Sequence, residues 1–460
     1  MEKKKFIQLC LLIMFLLYPL SIEAQTWNVN PNFWTATDNL GRTTPTEQEV
    51  GATRTGKYVG IFYWTWRTDS RSNFSSILNI SQILKRYPEA ADDFSNPVWN
   101  SSGGIWWGEP LFGYYRSADD WVLRKHAQML ANAGVDVVFF DCTNSTWTWK
   151  SSYPELLKVW EQARKDGVKT PQIAFILHFR ADEESLTEIK ELYNDLYKPG
   201  LYKDLWFMWN GKPLIMAYPE MLLDVPNNPV ETQLRHDIKD FFTFRPGQPD
   251  YVDGPSRNDQ WGWLEDYPQH GYGKKVTGGY EEIPVGVAQN ASDASGGHWY
   301  AFSAPHTYGR SYTKAKGQDT SSDAYFYGLN FQEQWSRAFQ LDPNLVFVTG
   351  WNEWNVGHNT GGYPTMPPLK PFSFVDEYNW EKSRDIEPVK SWGDNGDDYY
   401  IQLVSNVRKF KGMQAQEPAS AAQTISMGNL NVLFSTYKVS IPFVGAPAIL
   451  KILPSFGSVC

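Results

Sequence analysis

The sequence predicts an α/β fold, namely a (β/α)8 barrel of the TIM type with long loop insertions. Short runs of β-branched and aromatic residues alternate with helical segments from Tyr58 onward. Repeated strand–helix–strand order indicates a parallel sheet, and seven countable strands with room for an eighth favour a closed barrel over an open doubly wound sheet. No G-x-G-x-x-G motif follows the first strand, which argues against a dinucleotide-binding fold.

The predicted strands are apolar on both faces, as buried parallel strands tend to be. They are residues 58–66, 135–141, 171–179, 213–218, 241–244, 283–289 and 344–350. Capping signals mark the helices between them: Ser117 with Asp120 and Asn330 with Glu333 are typical of capping boxes, and Asp182 is a candidate N-cap. Gly412 is expected to end the last helix.

Three segments rich in glycine and proline are too long to be simple connections between strands and helices. They are residues 67–116, 245–282 and 290–328. Loops of this length commonly build binding sites, so we expect them to overlie one end of the barrel and to form a cleft there.

The two ends of the chain differ in character from the predicted barrel of residues 25–412. Residues 1–24 place three lysines before an apolar run and end in Ala24, which is typical of a secretory signal peptide and predicts an exported, periplasmic or extracellular protein. Residues 413–427 are expected to be a linker, and residues 428–460 a truncated or aberrant C-terminal stub or part of an accessory β module. Three prolines interrupt the apolar stretch of that stub, so we expect no membrane span in the mature chain.

Composition and charge exclude several classes of function. The 460 residues carry a formal net charge of −9, whereas binding to a nucleic-acid duplex requires a positive surface. Three cysteines, Cys10, Cys142 and Cys460, cannot form a disulfide framework. The absence of H-E-x-x-H, paired Cys-x-x-Cys and phosphate-loop motifs leads us to expect neither a metal nor a cofactor. Aromatic residues make up 16% of the chain and include 21 tryptophans, which suits stacking against sugar rings.

Polar and aromatic residues at the carboxyl ends of the predicted strands are the candidates for substrate binding and catalysis, because function gathers at that end of a parallel barrel. In chain order they are Tyr63, Trp64, Trp66, Asp141, His178, Arg245, Gln289, Trp351, Asn352, Glu353 and Trp354.

Glu353 is the strongest catalytic candidate of this set. A glutamate between two tryptophans at the mouth of a barrel is partly desolvated, which raises its pKa and suits proton transfer near neutrality. The flanking rings are expected to hold a sugar. The alternative is a structural carboxylate paired with an Arg or Lys of a loop. Asp141 is a second candidate, with a helix cap or a loop clamp as its alternative role.

The tetrad Trp351-Asn352-Glu353-Trp354, together with the opening strand GIFYWTW and Ile386-Glu387-Pro388, resembles the barrel of glycoside hydrolase families 71 and 99 and their bacterial relatives. The resemblance covers roughly residues 55–412. In family 99 the glutamate of the tetrad acts as a base that is proposed to assist the sugar's own 2-hydroxyl, and a glutamate three residues later is the acid. Glu353 matches the first position, whereas Val356 occupies the second and cannot transfer a proton.

The second carboxylate must therefore come from elsewhere in the chain. An apparent insertion before the Ile-Glu-Pro triplet contains or precedes several candidates, namely Asp376, Glu377, Glu381, Asp385 and Glu387. Asp141 reaches the cleft from across the barrel, and we favour it because strand ends are positioned more rigidly than loops.

These observations together predict a secreted glycoside hydrolase that cleaves O-glycosyl bonds of an oligo- or polysaccharide with Glu353 and Asp141. Val356 motivates an alternative, a carbohydrate-binding barrel without catalysis. Glycosyl transfer is less favoured, because activated nucleotide sugars are chiefly cytoplasmic. The sugar, the linkage, the stereochemical outcome and the oligomeric state stay open.

Overall fold

The structure of the protein is a computed structural model, and it describes residues 29–31, 34–67, 78–100, 105–106, 108–356, 358–359, 361–362, 368, 370–414, 423–427 and 430–434. The predicted signal peptide and most of the predicted C-terminal stub lie outside these residues. The chain divides into two units, Met1–Gln414 and Ala415–Cys460. In the second unit, Gln423–Met427 pairs with Leu430–Phe434 as an antiparallel hairpin.

The first unit is built on a curled, mainly parallel sheet, and each of the seven predicted strands is present in it. The strands are β1 (Tyr58–Tyr63), β2 (Val137–Asp141), β3 (Gln172–Ile176), β4 (Lys212–Met216), β5 (Thr243–Phe244), β6 (Glu282–Gly286) and β7 (Leu345–Thr349). Neighbouring strands follow the order β6-β7-β1-β2-β3-β4-β5, all parallel. This is a mixed α/β fold with a curled, half-barrel sheet whose two ends are β5 and β6.

The interior of the curled sheet is filled by large aromatic side chains that require one small neighbour. The rings of Phe139 and Phe347 meet at 4.5 Å between centroids. A Cβ atom on Gly60 would lie 2.4 Å from Phe139, so only glycine fits at this position of β1. The edge of the sheet at β4 carries an antiparallel hairpin with Met208–Trp209, whose Asn210-Gly211 turn has positive φ at both residues.

Six helices cover the connections between the strands. They are α1 (Asp120–Ala133), α2 (Tyr153–Lys165), α3 (Glu183–Leu192), α4 (Pro229–Phe241), α5 (Leu329–Leu341) and α6 (Asp398–Lys411). As predicted, Asp182 caps α3 by accepting a hydrogen bond from Ser185 N–H, and Gly412 follows the last residue of α6. Among the described helices, none combines the length and the apolar character needed to span a bilayer.

The two predicted capping boxes are wrong. Side chains that were expected to cap the helices form hydrogen bonds with residues distant in the chain instead. The N-cap of α1 is Asp119, which accepts from Val122 N–H, while Ser117 Oγ accepts from the backbone of Arg67 at 3.1 Å. Helix α5 begins after Gly328 in the left-handed region, so Asn330 lies inside the helix. Glu333 accepts from the backbone of Lys314 instead.

Shorter elements complete the first unit. The remaining helical turns are Glu47–Val50, Ile80–Arg86, Pro88–Ala91, Pro97–Asn100, Tyr193–Tyr197, Lys203–Leu205, Pro219–Met221, Asp293–Ser295, Ala324–Tyr327 and Lys390–Asn395. The short strand pairs are Gly247–Gln248 with Trp261–Gly262, Gln289–Ser292 with Thr307–Tyr308, Tyr312–Thr313 with Gly317–Gln318, His358–Asn359 with Ser373–Phe374, and Ile105–Trp106 with both Leu78–Asn79 and Asn355–Val356.

A fully buried ion pair ties the last helix to the start of the sheet. Lys411 Nζ lies 2.7 and 2.8 Å from the two carboxylate oxygens of Asp136 and also donates to the carbonyl oxygens of Val29 and Gly134. Asp136 in turn accepts from the backbone N–H groups of Val29 and Val59. Every hydrogen of the ammonium group and both carboxylate oxygens are therefore engaged, which is the condition under which a buried pair is tolerated.

Replacing Lys411 by methionine is expected to lower the free energy of unfolding by about 3–5 kcal/mol, because Asp136 is left as an uncompensated buried charge. Urea unfolding followed by tryptophan fluorescence measures this. The matched control is Lys165→Met, which breaks an exposed 2.7 Å pair with Glu161 and should change stability little. Equal losses of unfolding free energy in both variants would contradict a stabilising role of the Lys411–Asp136 pair.

Candidate active site

A cavity of about 710 Å³ opens where the carboxyl ends of β1, β2 and β3 meet the segments that follow β5, β6 and β7. This volume is typical of a site for a small organic ligand. The residues that line it are Phe62, Trp64, Asp141, Thr143, Asn144, Ile176, Phe179, Arg180, Pro249, Tyr251, Trp263, Trp299, Glu353, Val375, Asp376 and Arg384.

Four residues singled out from the sequence meet in this cavity, three at strand ends and Asp376 from the segment after β7. Trp64 follows β1, Asp141 ends β2 and Glu353 follows β7. Two of the three long insertions also contribute lining residues, Trp263 from residues 245–282 and Trp299 from residues 290–328. The cavity therefore combines carboxyl groups with indole rings, which is the combination that the sequence predicts for a sugar site.

Glu353 is a buried acid of the cavity and is held by an arginine. Its Oε2 lies 2.8 Å from Arg384 Nη2, and the two side chains are 5% and 1% exposed. Its backbone N–H donates to Asp385 Oδ1. Burial raises the pKa of Glu353 well above its ordinary value, and Asp376, Asp385 and Asp141 raise it further, while Arg384 opposes them.

Asp141 presents a carboxyl group whose ionised form is only weakly stabilised. Its Oδ1 accepts from the backbone N–H of Thr143 at 3.1 Å, and its carbonyl oxygen accepts from Trp66 Nε1 at 2.9 Å. Burial raises the pKa of Asp141 to about 7, and the nearby Asp376 acts in the same direction. Asp141 therefore holds a proton over part of the neutral range.

Asp376 is the third acid in the cavity. Its Oδ1 lies 3.6 Å from Arg384 Nη2 and accepts from Asn290 Nδ2 at 3.4 Å. Burial raises its pKa, against the attraction of Arg384. The sequence offered Asp376 only as one of five acids near an insertion, because a loop residue carries no periodic signal that places it.

Three other acids of that segment, Glu377, Glu381 and Asp385, lie outside the described lining of the cavity. Glu381 accepts from the hydroxyl and backbone N–H of Ser311. Burial raises the pKa of Asp385 to about 6, and the positive charge of Arg310 is the largest influence that lowers it. Glu377 is buried, and burial and the charge of Asp385 raise its pKa well above the ordinary value.

Arg384 is the residue of this site that sequence reasoning missed. Its guanidinium carbon lies 5.5 Å from the ring centroid of Trp263 and 5.6 Å from that of Phe302. These two rings position the cation between Glu353 and Asp376 through cation–π contacts. The one available signal was an arginine beside the Asp-Ile-Glu-Pro sequence, which does not by itself indicate burial.

A buried hydrogen-bond network positions the tetrad that carries Glu353. Glu387 accepts from Tyr115 Oη at 2.6 Å and from Trp354 Nε1 at 2.7 Å, and its other oxygen lies 2.8 Å from His126 Nε2. His126 Nδ1 lies 2.7 Å from Tyr63 Oη. Tyr63 and Trp354, both predicted to bind substrate, are thus placed in this network behind the cavity.

Asn352 joins the ends of β1 and β7. Its Oδ1 accepts from the backbone N–H of Trp64 at 2.9 Å and its Nδ2 donates to the carbonyl oxygen of Trp64 at 3.3 Å. Asn352 therefore fixes the position of Trp64 and, through the chain, that of Glu353. Trp351 packs at 5.5 Å from the His126 ring.

The rings that flank Glu353 in sequence are therefore not those that line the cavity. Trp351 and Trp354 are buried in the core, and the described lining residues include Trp64, Trp263 and Trp299 in their place. The ring of Trp66 stacks on that of Trp64, with ring centroids 4.0 Å apart.

Three further candidates for substrate binding lie outside the described lining of the cavity. His178 Nδ1 is 2.9 Å from Asp182 Oδ2. Arg245 forms a bidentate pair with Glu281 at 2.6 and 2.8 Å and lies in a separate cleft. Gln289 is fully buried and its Nε2 lies 3.5 Å from Asn330 Oδ1.

Within the described residues, one group of side chains has the spacing of a metal site. Ligand atoms of His178, Asp182 and Glu184 lie within 4.8 Å of one another. Arg180 Nε already lies 2.5 Å from Asp182 and its Nη2 3.4 Å from Glu184. The guanidinium of Arg180 therefore already pairs with the two carboxylates of this group. The group is better described as an ion-pair cluster at the start of α3.

Replacing Arg384 by glutamine is expected to destabilise the protein most at alkaline pH. Without the guanidinium the pKa of Glu353 and Asp376 rises further, and a carboxyl group with a raised pKa loses its stabilising contribution as the pH rises through that value. The loss should reach about 3–5 kcal/mol near pH 8 and shrink towards pH 5. Thermal unfolding across this pH range measures it, with Arg180→Gln at the exposed rim of the cavity as control. A loss that does not depend on pH would contradict the electrostatic role.

Comparisons with known proteins find solved structures that are similar to this chain at low identity. No protein-family model and no curated protein matches it. It is similar to the GH99 endo-alpha-mannosidase from Bacteroides thetaiotaomicron in complex with BIS-TRIS-propane, with 15% identity, a TM-score of 0.41 and coverage of 77% of this chain and 97% of that chain. A further structure of this mannosidase gives 14% identity, a TM-score of 0.42 and the same coverage. A glycoside hydrolase-like protein gives 12% identity, a TM-score of 0.33 and coverage of 78% and 95%.

Proposed function

We propose that the protein is a glycoside hydrolase that cleaves an oligo- or polysaccharide in the cavity between β1, β2 and the segment after β7. The observation that carries the proposal is the meeting of Glu353 and Asp141 in a cavity walled by Trp64, Trp263 and Trp299. Indole rings offer flat apolar faces to the C–H groups of sugars, and paired carboxyl groups supply the proton transfers of glycosidic cleavage.

Glu353 is the base in this proposal, and Asp141 is the acid. Arg384 contacts Glu353 at 2.8 Å and so stabilises its ionised form against the burial that raises its pKa. Asp141 donates its proton to the glycosidic oxygen as the bond to the anomeric carbon breaks. Glu353 takes the proton of the attacking hydroxyl, which belongs either to water or to the sugar itself.

The proposal includes a closed (β/α)8 barrel as the scaffold. The short strand Trp261–Gly262 runs parallel to Gly247–Gln248 just after β5 and contacts β6 through Gly262 N–H, which donates to Glu282 Oε2 at 2.8 Å. This segment stands where the eighth strand of a barrel belongs. We further propose export of the chain, with residues 1–24 as the signal peptide.

A carbohydrate-binding barrel without catalysis is the second candidate, and the Glu353–Arg384 pair favours it. One oxygen of Glu353 is already engaged at 2.8 Å by the buried guanidinium and is therefore less available to accept a proton from a substrate. Cleavage of any glycan by the purified protein decides against this candidate. A panel of soluble polysaccharides, including xylan, β-glucan, galactomannan and yeast α-mannan, with chromatographic analysis of the products, is the corresponding experiment.

Glu353→Gln and Asp141→Asn should each lower kcat by about 10²–10⁴, because each removes one proton-transfer group and preserves its shape. Both variants should stay folded at the assay temperature and keep the affinity for substrate. Asp376→Asn is the matched control in the same cavity and should lower kcat less than tenfold. A larger effect of Asp376→Asn than of Asp141→Asn would transfer the acid role to Asp376.

Activity should fall as the pH rises through about 7, because the pKa of Asp141 is raised to about 7 by burial and only its protonated form donates. We expect kcat/KM to drop roughly tenfold per pH unit above this value. The measurement is the pH dependence of kcat/KM on the best substrate of the panel. Asp376→Asn removes a negative charge near Asp141 and should move the alkaline limb to lower pH, whereas an unmoved limb would argue against Asp141 as the acid.

A further inference from the structure

The loop of residues 143–151, here named the tryptophan loop, connects the cavity to a second, smaller cleft. Its first residues, Thr143 and Asn144, line the cavity. From Thr146 to Ser151 the same loop lines a cleft of about 190 Å³, together with Glu191 of α3. The two depressions are thus adjacent along one continuous stretch of chain.

A row of four indole rings runs from the cavity to the surface along this loop. Trp64 lines the cavity and stacks on Trp66 at 4.0 Å, and Trp66 stacks on Trp149 at 4.6 Å. Trp149 meets Trp147 edge to face at 5.6 Å. Trp66 and Trp149 are buried, whereas Trp147 is 37% exposed at the end of the row.

The tryptophan loop is held in a backbone conformation that bulky residues avoid. Trp149 has φ 57° and Ser145 has φ 61°, both in the left-handed region. Such positions are unfavourable for a bulky residue unless the surroundings fix them. Stacking of Trp149 on Trp66 supplies part of that restraint, and Thr148 Oγ1 donates to Glu191 Oε2 at 2.9 Å. The ring of Trp147 is consequently presented by a rigid support.

The rim of the small cleft has the chemistry of a sugar subsite. Thr146, Thr148 and Ser151 carry hydroxyl groups, and Lys150 and Glu191 carry charges beside the exposed ring. A flat apolar face bordered by hydrogen-bonding groups matches a sugar ring, which has C–H faces and hydroxyl edges.

We propose that Trp147 is a stacking platform for a further unit of the saccharide chain whose cleavage site occupies the cavity. The substrate is therefore an extended oligo- or polysaccharide rather than a short glycoside. This inference rests on the proposed glycoside hydrolase function and adds to it a binding platform outside the cavity.

The test compares Trp147→Ala, Trp147→Phe and Trp121→Ala in the full chain. Trp121 is a matched control, because it is also an exposed tryptophan but lies on α1 and packs against Phe112. Each variant is assayed on the polysaccharide of the panel that the wild type cleaves and on the 4-nitrophenyl glycoside of the same sugar. Binding is measured separately by affinity electrophoresis with the same polysaccharide after adding Glu353→Gln to each variant.

Trp147→Ala should raise KM for the polysaccharide about tenfold and weaken retention in the gel to the same degree, because the stacking contact with roughly one sugar ring is lost. Turnover of the 4-nitrophenyl glycoside should not change, Trp147→Phe should restore most of the affinity, and Trp121→Ala should match the wild type. An unchanged KM and retention for Trp147→Ala would overturn the inference while leaving the hydrolase function intact. If the wild type neither binds nor cleaves any member of the panel, the proposed function fails and the inference fails with it.

Discussion

The buried pair between Arg384 and Glu353 is the interaction on which the candidate site depends. One guanidinium faces Glu353 and Asp376, with Asp141 in the same cavity, so the described site holds more acid groups than cations within reach. Charges in a poorly solvated cavity interact strongly, and the three acids cannot all ionise there at little cost. A proton is therefore retained among them near neutrality, and the cation decides which acid gives it up first.

The fold holds this arrangement from several directions, so that no single loop determines it. Asn352 bridges the ends of β7 and β1, Glu387 fixes Trp354, and Trp66 bonds to the carbonyl oxygen of Asp141. Each of these contacts joins residues that are distant in the chain. Catalytic groups need positions fixed within fractions of an ångström, and supporting shells of this kind provide them. The network around Glu387 thus serves the site without reaching the cavity.

The sequence predicted the strands well and the side-chain directions poorly, for physical reasons. Buried parallel strands are continuous apolar runs, so β1 to β7 were visible, as was the clustering of Trp64, Asp141 and Glu353 at their carboxyl ends. Trp351 and Trp354 are buried in the core, and the preceding Gly350 has φ 119°, a conformation that no periodic pattern encodes. Arg384 and Trp263 reach the cavity from irregular segments, whose course is set by tertiary contacts alone.

The number of acids in the cavity separates a functional site from a structural ion pair. A structural role for Arg384 would need one carboxylate, and Glu353 with its 2.8 Å contact would suffice. Asp141 instead accepts hydrogen bonds from Thr143 and has no ion pair at contact distance among the described residues, and burial raises its pKa to about 7. Its charge therefore destabilises the folded state as the pH rises through that value, whereas an asparagine would not. A carboxyl group of this kind, beside the indole rings of an open cavity, is the feature on which the proposed acid role of Asp141 rests.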